Sequence, residues 1–176
     1  LKDSREFDVK LYQNNAEISL NILNLRMYKG ACGEFAIGSV FVPYLEMDYI
    51  GNEISGEFEV RAAVKVNGSF GTYYTIGHFY PTRNDNTHWK RKLIAQGKLS
   101  QCANTVLYAS EPTNRKLSDI ATAIRSKGYT LTAKGFTIPQ TEVDLPLIGI
   151  TVRDALQIIA TCIGGYATED NAGGLI

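Results

Sequence analysis

The sequence predicts an α+β chain, a mainly antiparallel β-barrel or sandwich followed by a smaller α/β subdomain with two helices. Three observations predict it. Apolar residues recur with a period of two through the first part of the chain and with a period of about 3.6 from Glu111 onward. Turn-forming pairs punctuate the first part at short intervals, as they do between the strands of sandwiches and barrels. The charge balance also changes along the chain: residues 1–88 hold 8 basic and 11 acidic side chains, residues 89–176 hold 10 and 7. The expected division is residues 1–109 as the β domain and 110–176 as the α/β subdomain.

Strand candidates are Phe7 to Leu11, Ile18 to Leu25, Leu45 to Ile50, Phe58 to Val66, Tyr73 to Tyr80 and Trp89 to Ala95, bounded by Asn14-Asn15, Gly30 to Gly33, Gly51-Asn52 and Asn84 to Asn86. The clearest is Phe58 to Val66. There Phe58, Val60, Ala62, Val64 and Val66 point to one face, read as core, and Glu59, Arg61, Ala63 and Lys65 to a wet one. It ends at Asn67-Gly68, a pair that tolerates positive φ, so a hairpin is expected across 67–72. In the helical part Leu117, Ile120, Ala121 and Ile124 fall on one face of a helix that Gly128 stops. A second helix starts at Thr151, a hydroxyl cap, carries Asp154 in its first turn and stops at Gly164-Gly165. Thr130 to Thr132 and Phe136 to Ile138 read as short extended pieces. Tyr166 to Thr168 reads as a strand and Leu175-Ile176 as two residues of a returning one, too few to pair effectively, so the chain is expected to be an N-terminal piece of a longer protein.

Composition narrows the function. Lys and Arg together number 18 and Asp and Glu 18, a zero formal charge that argues against a domain dedicated to nucleic acid, whose affinity rests on a basic excess. Hydrophobic residues make up 44% of the chain, enough for a core. No stretch approaches the ~18 apolar residues of a membrane span, and the charged N-terminus is no signal peptide, which places assembly in the cytoplasm. Cys32, Cys102 and Cys162 lie far apart and read as reduced and structural.

No catalytic constellation emerges, and no enzyme activity, cofactor or metal is expected. P-loop and G-x-S-x-G patterns are absent, and Gly30-Ala31-Cys32-Gly33 reads as a turn. His78 and His88 lack the carboxylate or cysteine neighbours of a metal site. Glu57 with Glu59, and Glu46 with Asp48, are i,i+2 pairs read as solvated faces rather than a glycosidase pair. Lys90, Arg91 and Lys92 beside Trp89 read as an exposed edge strand guarded by charge rather than a nucleic-acid cradle. Alternation along 73–80 sends Tyr74 and Tyr80 to one face and Tyr73 and Phe79 to the other. An aromatic strand covered on both sides points to a protein partner, with Tyr74 and Tyr80 as candidate subunit-interface residues.

The order of these features resembles the baseplate hub and tail-associated proteins of tailed bacteriophages and prophages. The resemblance is carried by Phe35-Ala-Ile-Gly-Ser39 leading to Leu45-Glu-Met-Asp-Tyr-Ile50, then by Glu57-Phe-Glu-Val60 and Ile76-Gly-His-Phe-Tyr-Pro81. Its most specific part is the helix Leu117 to Ile124, then Ile150-Thr-Val-Arg-Asp-Ala-Leu156, Ile159-Ala160, Gly164-Gly-Tyr-Ala167 and Gly174-Leu175-Ile176. It departs at Ile94-Ala-Gln-Gly-Lys98, where the family has an aspartate. The resemblance implies a barrel domain followed by an inserted α/β domain, a homotrimer around the tail axis contacting tail tube and tip or spike proteins, a place in the virion tail, and no catalytic residues. The alternative, drawn from the 10 tyrosines and the β-rich first part, is a carbohydrate-binding module of a receptor-binding or wall-degrading protein.

Overall fold

The computed structural model describes residues 6–29, 37–135 and 137–176. The turn at Gly30 to Gly33 with Cys32, the Phe35-Ala36 start of the first family phrase, and Phe136 lie outside the described residues. The chain is α+β and divides into two compact units. The first comprises residues 1–27, 44–97 and 171–173, the second 28–43, 98–170 and 174–176.

The first unit is one antiparallel sheet: β1 (Phe7–Gln13), β2 (Ala16–Glu17), β3 (Asn21–Tyr28), β4 (Tyr44–Ile50), β5 (Phe58–Val66), β6 (Ser69–Phe70), β7 (Tyr74–Asn86) and β8 (Arg91–Gln96). Its order is β2-β1-β5-β7-β8-β4-β3, with β6 paired to β5. Two hairpins close on asparagine pairs at positive φ, Asn14 with Asn15 and Asn67 with Gly68, so both sequence turns fold as their residue types dictate. Among the described residues no ladder joins the two edges, so the barrel alternative gives way to an open sheet. Only residues 18–20 carry the chain from β2 at one edge to β3 at the other, and four extended steps reach no more than ~14 Å, so the sheet must coil strongly round its core. That core is Leu11, Leu45, Met47, Tyr49, Phe58, Val60, Phe79, Leu93 and Ala95, with Ile54 contributed by the β4–β5 connection.

Two expectations fail here. β8 runs between β7 and β4, so the Lys90 to Lys92 run does not mark an edge. Two of its charges are paired, Lys90 with Asp48 at 3.3 Å and Arg91 with Glu53 at 3.5 Å, and Lys92 stands opposite Asp48 and Asp85 in the ladder. The Asn84 to Asn86 turn signal is also overridden: β7 runs through it, because Asn84 donates to the Ile54 carbonyl at 2.9 Å and Arg83 pairs with Asp85.

The second unit packs α2 (Leu117–Ser126) and α3 (Val152–Ile163) around a common core, with a short α1 (Leu99–Cys102) that periodicity did not reveal. Leu117, Ile120, Ala121 and Ile124 are all buried, as are Val152, Ala155, Leu156 and Ile159. Thr151 and Asp154 form a reciprocal capping box: the Thr151 hydroxyl accepts from the Asp154 N–H at 3.2 Å and the Asp154 carboxylate accepts from the Thr151 N–H at 2.8 Å. The Thr151 N–H, joined by the Thr151 hydroxyl donating to the same carboxylate at 2.7 Å, holds the Asp154 carboxyl below its ordinary pKa. Leu175-Ile176 pairs after all, on two sides. Thr168 and Ile176 exchange N–H···O bonds at 2.8 and 2.9 Å, and Leu175 bonds Thr130 and Thr132 at 2.7 and 2.9 Å. The returning residues therefore fill a slot between two extended segments, one of them the piece expected at 130–132. Cys102 is buried and its thiol is pushed up to about 11 by desolvation, the inert structural state expected of it, whereas Cys162 is exposed.

Two glycines separate conformational strain from collision. Gly164 closes α3 at φ 71° with open space where a Cβ would sit, whereas a Cβ on Gly38, at φ 85°, would meet the Thr161 hydroxyl at 2.2 Å. Gly164→Ala is expected to cost ~1–2 kcal/mol for the left-handed backbone alone. Gly38→Ala should cost more, read as a larger drop in the urea midpoint; equal drops would remove the steric argument.

Candidate assembly surface

Cross-strand partners in a ladder share a face, so the register of β1, β5 and β7 traces the core side of the sheet outward. Leu11, Val60 and Gly77 lie abreast and are buried; next come Val9, Ala62 and Tyr74, then Phe7 opposite Val64. Burial falls along that series. Val9 and Ala62 are half-buried, while Phe7 is 63% and Tyr74 69% exposed, and Val66, two residues beyond Val64, is 60% exposed. The predicted alternation of β5 is therefore correct in direction and wrong in extent, because the strand outlasts its core. Val64 and Val66, expected inside, stand in solvent, and Ala63 on the opposite face is buried.

The cause is a bulge. Val60 pairs with Gly77 and Arg61 with Thr75, so Ile76 of β7 has no counterpart on β5. An extra residue bends a strand and reverses its parity, and a glycine inside a strand was the available sequence signal. Tyr74 and Tyr80 consequently lie on opposite faces, not on the same one. Tyr74 joins the apolar strip that continues the core. Tyr80 sits half-buried on the reverse face, where its hydroxyl donates to Glu57 at 2.8 Å.

That reverse face is a polar network. His78 Nδ1 lies 3.1 Å from Glu57, and Arg61 binds Glu59 at 2.6 Å while stacking over the Tyr12 ring at 4.1 Å. Thr75 and Arg61 together hold Glu59, and the Arg61 hydrogen bond chiefly lowers its carboxyl pKa. Tyr73 donates to Asp8, which raises the phenol. The carboxylate pairs seen in the sequence are thus separately committed: Glu57 to His78 and Tyr80, Glu59 to Arg61, Glu46 to Tyr44 at 2.7 Å and Asp48 to Lys90. None faces a second free carboxylate across a cleft. Among the described residues no group of three or more His, Cys, Asp or Glu is placed to hold a metal ion.

The sheet therefore presents an apolar strip of Phe7, Val64, Val66 and Tyr74 at the end where β1, β5 and β7 outrun the core. Phe70, 43% exposed, adds an apolar ring on the reverse side of the β5–β6 hairpin, with the Lys65 ammonium 5.8 Å from its centroid. Contiguous exposed apolar side chains on a ladder mark a candidate interaction surface.

The same architecture occurs in solved structures. The 43 kDa tail protein of prophage MuSo2 from Shewanella oneidensis superposes with a TM-score of 0.52 over 97% of this chain and 54% of its own, at 13% identity. A tail protein from Neisseria meningitidis MC58 does so with a TM-score of 0.57 over 96% of this chain and 50% of its own, at 15% identity. The chain shares its fold with these two tail proteins. The chain spans about half the length of these two tail proteins, at identities that carry the fold alone. No protein-family model and no curated protein sequence matches it. The shared fold agrees with the phage and prophage tail part of the family resemblance, and the superposition covers nearly the whole chain. No helix among the described residues is long and apolar enough to cross a membrane.

Proposed function

We propose that this chain is a structural component of a phage or prophage tail, a non-catalytic part of the baseplate hub or tail tip. It assembles in the bacterial cytoplasm as a trimer round the tail axis and contacts tube and tip or spike proteins. The observation that carries the reading is the apolar strip of Phe7, Val64, Val66 and Tyr74 on a sheet whose fold is shared with two tail proteins. Burying such a strip against a neighbouring subunit supplies the driving force of an obligate interface. Glu46, Asp48, Glu57, Glu59 and His78 are instead engaged in side-chain pairing within the sheet unit, which suits a mechanical part.

Immunogold electron microscopy on particles from an induced culture tests the reading. Gold at the tail tip is expected; intact tails without label, with the antigen left soluble, would sink it. The strip itself is tested by Phe7→Glu combined with Tyr74→Glu, two exposed sites at which charge leaves the monomer folded. Incorporation into tails is expected to fall by about tenfold or more, the effect of losing central aromatic contacts, with an unchanged urea midpoint. Tyr80→Phe, which removes the hydroxyl that binds Glu57 on the reverse face, should assemble normally. Normal incorporation of the double variant would take the strip out of the interface.

A further inference from the structure

The single tryptophan of the chain stands at the other end of the sheet unit, in residues 87–90 between β7 and β8. The Thr87 N–H and hydroxyl both donate to the Lys90 carbonyl, at 2.9 and 2.7 Å, which ties the loop and holds Trp89 at its tip, 64% exposed. Tryptophan is mostly buried in folded proteins, so an indole displayed on a closed loop is a flat apolar surface waiting to be covered.

Beside it lies a cleft of about 170 Å³ walled by the end of β4 and by the loop. Its walls are fixed. Lys90 spans from Asp48 at 3.3 Å to within 5.4 Å of the indole centroid, and Arg91 holds the Gly51 carbonyl at 3.2 Å. Asn86 and His88, which also line it, are exposed, and their side chains hydrogen-bond to none of the described residues.

Size and charge select the ligand. One indole and the neighbouring Ile50 supply far less area than the ~800 Å² per partner of a standard protein interface. Arg83, Lys90 and Arg91 are ion-paired with Asp85, Asp48 and Glu53, leaving only Lys92 without an ion pair. A phosphate backbone or other anionic polymer needs several such cations together. What remains beside the Lys90 ammonium, which stands over the indole and is paired with Asp48, is an apolar plane edged by a neutral amide and an imidazole, each able to donate and accept. That is the complement of a pyranose ring, which has an apolar C–H face and a rim of hydroxyls.

We infer that the β7–β8 loop is a subsite for a neutral hexose unit of a polysaccharide, with Trp89 stacked on the sugar's C–H face and Asn86 and His88 bonding its hydroxyls. This site is independent of the tail reading and of the apolar strip. Because Trp89 is the only tryptophan, its fluorescence reports on the site directly. The intact chain is titrated with glucose, mannose and N-acetylglucosamine oligosaccharides. A saturable blue shift with protection from acrylamide quenching is expected for at least one series. By calorimetry with that sugar, Trp89→Ala should weaken binding about tenfold, the worth of one stacking contact, and His88→Ala more mildly. Emission unmoved by every oligosaccharide at millimolar concentration would overturn the inference. So would a blue shift that grows with protein concentration and no sugar, since the loop would then be covered by another copy of the chain.

Discussion

Phe79→Ala is expected to destabilise the sheet unit by about 3–5 kcal/mol, the usual cost of emptying a fully buried aromatic site. Phe79 has no solvent exposure, lies directly opposite Phe58 in the ladder, and packs against it at a centroid distance of 6.1 Å and an interplanar angle of 31°. Both rings sit where β7 passes from pairing with β5 to pairing with β8, so the cavity would open at the hinge of the coiled sheet. Tyr74 belongs to the same strand and is of similar size, yet it is largely exposed, and Tyr74→Ala should fall within the scatter of surface substitutions. Because the chain has two compact units, a single global midpoint can mix two transitions. Native-state hydrogen exchange separates them: amides of β5, β7 and β8 should lose protection by at least about a hundredfold in Phe79→Ala, with α2 and α3 amides far less affected. Equal losses for the two variants would show that the strip around Tyr74 is part of the core after all.

The contrast between these two aromatics marks where the sequence ceases to be readable. Periodicity reported what each residue prefers locally, and where local preference and tertiary context agree the reading held. Thr151 with Asp154 capped a helix, Gly164 ended it, and Asn67-Gly68 turned a hairpin. Parity is a non-local property. It runs along β7 until one extra residue, Ile76, breaks the count, and the reason for that bulge lies in how the sheet must bend rather than in any neighbouring side chain. The same limit explains β8. A run of three cations is an edge signal in isolation, and only the placement of Asp48, Glu53 and Asp85 on adjoining strands and loops makes it tolerable inside a sheet. Residues 28–43 and 98–109, read with the strands, belong to the helical unit through pairings such as Phe41 N–H to the Ala167 carbonyl at 2.9 Å and Leu107 N–H to that of Ile150 at 2.8 Å. Contacts between residues so far apart in the chain leave no trace in local pattern. The Trp89 loop is visible in the sequence as an aromatic beside charges, but its exposure is not, since the cleft exists only once the ends of β4 and β7 flank the start of β8, where Tyr49 and Asn86 both pair with Arg91.

Glu169 offers the second large effect, in the helical unit, and its two substitutions should move stability in different directions. It is the one buried carboxylate among the described residues, 8% exposed, and it accepts the N–H of Leu99 at the start of α1. Glu169→Ala would strand that donor, which belongs to a fully buried residue, at a cost of about 1–3 kcal/mol. Glu169→Gln keeps an acceptor and removes the charge. Burial raises the Glu169 pKa above its ordinary 4.5, outweighing the backbone donors and the nearby Lys29 and Lys98 charges that favour ionisation. A folded-state pKa above the unfolded value means that the native state binds the proton more tightly. The contribution of this group is therefore fully present below 4.5 and is lost as pH rises through the higher folded value. At pH 7 the wild-type carboxylate carries its desolvation cost, so Glu169→Gln should equal or exceed it in stability. As pH falls towards 4 the wild type should gain on Glu169→Gln. Glu59, Glu111 and Asp154, whose pKa values are lowered, destabilise both proteins alike in acid and cancel from the difference. Urea midpoints of the three proteins across that range decide the matter, and a wild-type to glutamine difference that does not change with pH would refute the protonation argument while leaving the alanine result to stand on the lost hydrogen bond.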